Sequence, residues 1–150
     1  MKMKKTILIT SIAALLGCGS AVAAENEAYV LANKPPVDGV IRQQDMIYAL
    51  MLKDPCLLPI ANAKNLRMAA IFNDRRHPDR PDVGCWGKTL SPTKAEVMVI
   101  GPTGTLSGTM SLTSFARVSL DRNGDGRVLG PAMTYDQFRN NVNAYEKSLR

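Results

Sequence analysis

The sequence predicts an α+β fold: a small antiparallel sheet of about four strands with an N-terminal and a C-terminal helix. Three observations predict it. Beyond the first 24 residues, apolar residues recur at helical spacing near both ends of the chain. Apolar and polar residues alternate in the middle, and turn residues separate the alternating segments. Strands grouped between helices are typical of α+β domains.

The first 24 residues have the three-part order of a cleavable secretory signal peptide. Lysines start the chain, an apolar run follows, and Ala21-Val22-Ala23-Ala24 supplies small residues before the acidic Glu25. The apolar run is shorter than the roughly 20 residues of a membrane span. We therefore expect a protein exported to the periplasm or the cell exterior, with no membrane span.

A lipid anchor is the alternative at the same place. Leu15-Leu16-Gly17-Cys18 resembles the lipobox of bacterial lipoproteins, in which the cysteine is acylated. The resemblance implies a membrane-anchored envelope lipoprotein with Cys18 as its anchor and residues 19–36 as its tether. Cleavage at Ala23 or Ala24 is favoured because small residues and a charge change meet there, and acylation stays open.

The N-terminal helix is predicted from about Asp38 to Lys53. Residues 25–37 contain two prolines and predict an extended lead-in to a single globular domain over residues 38–150. Asp38 is a good N-cap, and Pro55 ends the helix. The apolar residues that fall on one face are Val40, Ile47, Leu50 and Met51.

The sheet is predicted from the segments that follow. Ala95–Ile100 and Thr105–Leu112 form the clearest hairpin, because Gly101-Pro102-Thr103-Gly104 between them is typical of a type I turn. Further short strands are predicted within residues 60–73, around Val83–Lys88 and at Ala116–Leu120.

The C-terminal helix is predicted from about Thr134 to Leu149. Thr134 and Gln137 have the spacing of a capping box. Phe138, Val142, Tyr145 and Leu149 form an apolar stripe, which we expect to dock onto the sheet.

Charge and cysteine content agree with export. The chain carries a net charge of +6, and removal of the three signal-peptide lysines leaves 16 basic and 13 acidic residues, a net +3. So modest a charge, spread along the chain, argues against a nucleic-acid partner. Cys56 and Cys85 remain after cleavage, and we expect them to form a disulfide in an oxidising compartment.

One motif suggests a ligand. Asp121 to Val128 resembles the first eight positions of the EF-hand calcium loop. The resemblance implies that side-chain oxygens of Asp121, Asn123 and Asp125 and the carbonyl of Arg127 bind calcium. Ala132 stands where the family has a bidentate Glu, so Asp136 is the nearby carboxylate left to substitute. A plain hairpin turn stays open, because Asn-Gly and Asp-Gly pairs also favour one.

The function expected from these residues is binding rather than catalysis. The only histidine, His77, lies in a polar loop, and the sequence shows no constellation for nucleophilic or acid–base catalysis. We expect a small exported binding or structural module with a protein partner of unknown identity, stabilised by calcium if the loop binds it. The alternatives are the Cys18 lipoprotein and an enzyme inhibitor or small hydrolase whose site is not visible in the sequence.

Overall fold

The computed structural model describes residues 26–73 and 77–150, which contain one nine-stranded antiparallel sheet and one α-helix. The strands are β1 Asn26–Ala32, β2 Val40–Ile41, β3 Met46–Pro55, β4 Arg67–Ile71, β5 Asp82–Lys88, β6 Glu96–Ile100, β7 Met110–Ser111, β8 Ala116–Leu120 and β9 Gly126–Pro131, and the helix α1 is Tyr135–Ser148. Their order in the sheet is β2-β9-β8-β1-β3-β4-β5-β6-β7. The predicted four-stranded α+β fold with two helices is therefore wrong, and the chain is mainly β.

The predicted helix over Asp38–Lys53 is the main error. Asp38 and Gly39 both have positive φ, at 51° and 74°, and Val37 and Val40 on either side exchange two backbone hydrogen bonds of 2.9 Å. Positive φ at both central residues is the geometry of a type I′ hairpin turn, which Asp-Gly favours. The chain reverses direction here and cannot enter a helix.

The rest of the predicted helix is strand β3. Its apolar run, Met46 to Leu52, is covered on both faces of the sheet, since Ala49 and Met51 pack on one side and Leu50 on the other. A continuous apolar run of this length fits a doubly buried strand as well as a helix, so periodicity does not separate them.

Strand β1 lies in the middle of the sheet, between β3 and β8. The segment predicted as an extended lead-in therefore contains a central strand. Ala28 and Val30 are buried on one face of β1, whereas Tyr29 and Leu31 pack on the other.

The sheet has an apolar core on each face. The β6-side core consists of Leu50, Ala69, Ile71, Trp86, Val97, Val99, Leu112 and Phe115. The β8-side core consists of Ala28, Val30, Ile41, Met46, Ala49, Met51 and Val118. Strands β1 and β3 contribute alternate side chains to both cores, which explains why their sequences do not show a simple two-residue alternation.

The turn after β6 forms as predicted, with the Gly104 N–H donating to the Gly101 carbonyl at 3.0 Å. The strand predicted to follow it shortens to β7. The Ser107 hydroxyl accepts the Val99 N–H at 2.9 Å, so a side chain replaces a backbone carbonyl in the ladder. The Gly101–Ser107 loop stays beside the end of β6, because the Ser107 N–H donates to the Val99 carbonyl and the Gly101 N–H to the Thr105 carbonyl, both at 2.8 Å.

Helix α1 has the predicted bounds and capping box, with the Thr134 hydroxyl accepting the Gln137 N–H and the Gln137 side chain accepting the Thr134 N–H. Its apolar stripe, however, packs against the sheet less closely than predicted. No α1 side chain is fully buried, and Tyr145 and Leu149 are 43% and 68% exposed. Asn141 connects the helix to the sheet domain by donating to the Thr93 carbonyl at 2.7 Å. No helix within residues 26–73 and 77–150 combines the length and apolar character needed to cross a membrane.

The predicted disulfide is confirmed. Cys56, just after β3, is bonded to Cys85 in β5, with a Cα–Cα distance of 5.2 Å. Beside it, the Trp86 indole N–H donates to the Met51 carbonyl at 2.9 Å. The bond and the indole together tie β5 to β3 across the intervening β4.

Candidate functional site

The loop predicted to bind calcium is the hairpin turn between β8 and β9. One carboxylate oxygen of Asp121 accepts the backbone N–H groups of Asn123 and Asp125 at 2.8 and 3.0 Å. The Asp121 N–H donates to the Asp125 carbonyl at 2.9 Å, and Gly124 takes a φ of 83°. Asp121 therefore stabilises the turn through its own side chain.

Asp125 joins this turn to the segment before β3. One carboxylate oxygen lies 2.6 Å from Nη1 of Arg42, and the other accepts the Gln43 N–H at 2.9 Å. Burial raises the pKa of Asp125. The hydrogen bonds from Gln43 and Arg42 and the charge of Arg42 lower it by more, so the pKa lies below the ordinary value. The hydrogen bond to Asp125 correspondingly raises the pKa of Arg42.

Of the other predicted ligands, the structure brings only Arg127 to the same place as Asp121 and Asp125. Arg127 lies in β9 between Val40 and Ser119, and Asp136 pairs with Arg139 at 2.9 Å in the first turn of α1. Asp121 and Asp125 do line one small cavity of about 120 Å³, with Val40, Ser119 and Arg127, and Asn123 does not.

Within the described ranges, no three His, Cys, Asp or Glu side chains are grouped to hold a metal ion. His77 is exposed, and its carbonyl accepts the Arg80 N–H at 3.0 Å. The signal peptide and Cys18 lie outside the described residues.

A larger cleft, of about 350 Å³, opens between one end of the sheet and the Gly101–Ser107 loop. Its floor comes from three neighbouring strands. Tyr48 of β3 pairs with Ile71 of β4, which pairs with Asp82 of β5, so the three residues lie side by side on one face. Val99 of β6 completes the floor.

The floor of the cleft depends on the absence of a side chain at Gly84. A Cβ atom at Gly84 would lie 2.8 Å from Cδ1 of Ile71 and 2.6 Å from the Ile100 carbonyl oxygen. Real Cβ atoms do not approach so closely. Gly84 thus leaves the space that the Ile71 side chain needs beneath the cleft.

Polar side chains form the walls of the cleft. The Asn73 amide donates to the Asp82 carboxylate at 2.9 Å on one side. On the loop, the Thr103 and Thr105 hydroxyls are hydrogen-bonded at 2.9 Å. Leu106, 59% exposed, adds an apolar rim. The cleft therefore combines an apolar floor with paired hydrogen-bonding groups.

Sequence reasoning missed this cleft. Its residues come from four strands and two loops, and their linear spacing does not predict that they meet. Thr105 and Ser107 were expected within a regular strand, Thr105–Leu112. The one available signal was the position of Asn73 and Asp82 at the two ends of a polar loop.

Comparison of the chain with protein-family models, with curated proteins and with solved structures finds no match.

Proposed function

We propose that this protein is a small exported binding module whose ligand occupies the cleft between the sheet and the Gly101–Ser107 loop. The cleft itself carries the proposal. Its volume of about 350 Å³ falls in the range of roughly 300–1,000 Å³ typical of ligand sites, which pair an apolar lining with a few placed polar groups. Binding, rather than catalysis, is the role these groups support.

Two features support export. The N-terminal segment has the composition of a signal peptide. The disulfide between Cys56 and Cys85 is consistent with an oxidising compartment, where such bonds persist. A periplasmic or extracellular location accounts for both.

A pair of glycine variants tests the use of the cleft. A Cβ at Gly101 would make ordinary contacts, 3.5 Å from the Thr105 carbonyl oxygen and 4.0 Å from Cδ1 of Ile71, both within the cleft lining. Gly101→Leu should therefore fill the cleft. Gly108→Leu is the matched control, because a Cβ at Gly108 meets nothing within 4 Å and neither glycine has a positive φ.

The measurement is an amide NMR titration with a mixture of neutral, cationic and anionic small molecules. We expect shift changes to cluster at the cleft in the parent and in Gly108→Leu, and to be lost in Gly101→Leu. Shift changes that lie elsewhere, or that persist in Gly101→Leu, would rule out the cleft as the binding site.

Calcium binding at the hairpin turn stays a prediction, supported by the cavity that Asp121 and Asp125 share. Arg42 already contacts Asp125, so calcium would have to compete with its guanidinium. Asp121→Asn is the sharpest variant, since the amide oxygen keeps the turn's acceptor and removes the charge. Calorimetry on purified residues 25–150 should give saturable heat that this variant loses. The absence of heat at concentrations well above the weak extracellular range of about 10⁻⁴–10⁻³ M would leave a plain turn.

The lipid anchor at Cys18 is the alternative localisation. Because β1 begins at Asn26, only residues 19–25 would separate the lipid from a central strand, and not the tether over residues 19–36 that the sequence suggested. Intact mass of the protein from its native host distinguishes acylation from cleavage after Ala23 or Ala24.

A further inference from the structure

We propose that the ligand of the cleft is a neutral polyhydroxylated molecule, a saccharide of one or two rings. This inference rests on the proposed binding function and specifies the class of ligand. It comes from the pairing of the polar groups, the chemistry of the floor, and the charge of the lining.

The polar groups of the cleft come in adjacent pairs. Asn73 and Asp82 place an amide beside a carboxylate, and Thr103 and Thr105 place two hydroxyls side by side, each pair separated by 2.9 Å. Neighbouring hydroxyls on a sugar ring are similarly close, and each of them both donates and accepts. A pair of adjacent protein groups that includes donors and acceptors can therefore bind two such hydroxyls at once.

The floor provides the complementary apolar surface. Ile71 and Val99, 7% and 1% exposed, close the bottom of the cleft, and its accessible apolar surface comes from the half-buried Tyr48 and from Leu106 at the rim. A pyranose ring carries C–H groups on its faces and hydroxyls around its edge. The Tyr48 ring and the Leu106 side chain would cover a face of such a ring, while the polar walls would reach its edge.

Charge separates this ligand from the other classes. Among the described residues that line the cleft, Asp82 is the only charged one, and it is an acid. Phosphates and carboxylates are recognised by arginine, lysine or helix N-termini, and none of the described lining residues provides one. A cationic amine would meet a single carboxylate that already accepts a hydrogen bond from Asn73.

The test is an amide NMR titration of the folded, disulfide-bonded protein with maltose, cellobiose and the N-acetylglucosamine dimer, and separately with inorganic phosphate and spermidine. We expect at least one saccharide to shift cleft resonances, and phosphate and spermidine to leave them unchanged. Gly101→Leu should abolish the saccharide response.

Two further variants examine the polar pairs. Asp82→Ala and Thr103→Ala should each weaken saccharide binding about tenfold, the factor that corresponds to roughly 1.4 kcal/mol. Thr113→Ala is the matched control, because Thr113 forms the same kind of hydroxyl pair with Ser111, at 2.8 Å, outside the cleft. If Asp82→Ala fails to fold, saccharide binding by Thr103→Ala alone tests the role of the polar pairs.

The outcomes separate the two proposals. If phosphate, spermidine or another non-sugar shifts the cleft and Gly101→Leu blocks it, the binding function stands and the saccharide inference is wrong. If none of the three saccharides shifts the cleft, the inference is likewise overturned. If no probe of any class reaches the cleft, both proposals fall.

Discussion

Asp125 shows how much a single side chain contributes when it joins distant parts of the chain. Its carboxylate accepts from Arg42 and Gln43, more than eighty positions earlier in the sequence. Its side chain is only 19% exposed, so little water is available to replace these partners. The same residue was predicted as a calcium ligand, and its role in the fold is independent of any metal.

Asp125→Ala should therefore lower the free energy of unfolding by about 1–2 kcal/mol, through loss of the Gln43 hydrogen bond to a charged acceptor. Urea denaturation measures the change. Asp79→Ala is the control, since Asp79 is exposed and pairs only loosely with Arg80. Equal effects from both substitutions would contradict a structural role for Asp125.

The contribution of Asp125 should also depend on pH. Its pKa is lower in the folded protein than in an unfolded chain, so the folded state favours the ionised carboxylate. Its stabilising effect is present above the unfolded pKa and is lost as the pH falls through the folded pKa. The difference in unfolding free energy between the parent and Asp125→Ala should be largest near neutral pH and shrink below about pH 4. A difference that grows on acidification would be inconsistent with this assignment.

Gly84 makes a prediction at the same scale. Gly84→Ala would force a methyl group against the Ile100 carbonyl and the Ile71 side chain, and overpacking of this kind costs about 1–3 kcal/mol. Thermal denaturation should show a clear loss for Gly84→Ala and almost none for Gly108→Ala, which adds the same group in open space.

At the scale of elements, local signals were predictable and buried strands were not. Helix α1 was found because Thr134 and Gln137 cap it within four residues. Strand β3 was missed because an apolar run covered on both faces has no periodicity to distinguish it from a helix. The turn at Asp38-Gly39 was overlooked, although the same dipeptide was recognised as a hairpin signal at Asp125-Gly126.

In the candidate site, too, the local feature was predictable from the sequence and the tertiary one was not. The hairpin turn was visible as a contiguous motif, and its internal hydrogen bonds depend on neighbours in sequence. The cleft depends on the register of β3, β4 and β5, which brings Tyr48 beside Ile71 and Asp82. Register comes from tertiary packing on both faces, and the residue pattern of this chain does not specify it.

The capping box gives a prediction for the helix as a unit. Because α1 buries no side chain fully, its stability depends strongly on its end. Thr134→Ala should cost the helix about 1 kcal/mol and increase hydrogen exchange in its first turn, while Thr134→Ser should preserve it. Hydrogen exchange in the sheet should be unchanged. Faster exchange in β1 or β3 would instead show that the stability of α1 is coupled to that of the cores.

For the whole molecule, the disulfide is the main covalent restraint. It closes a loop between residues 29 positions apart, and the chain-entropy relation for about 30 residues gives roughly 3.6 kcal/mol. Replacement of both cysteines by alanine should lower the urea midpoint accordingly, and reductant should have the same effect on the parent but none on the double variant. A parent insensitive to reductant would contradict the bond's contribution.

The central position of β1 has a consequence for how the molecule assembles. Arg117 of β8 pairs with Glu27 of β1 across 90 positions, so this contact cannot form until most of the chain is available to fold. During that interval one edge of β1 has no partner, and an open strand edge is a template for pairing with other chains. Sheets dominated by such distant pairings fold in roughly milliseconds to seconds, so the newly made, still unfolded chain is the form most exposed to aggregation.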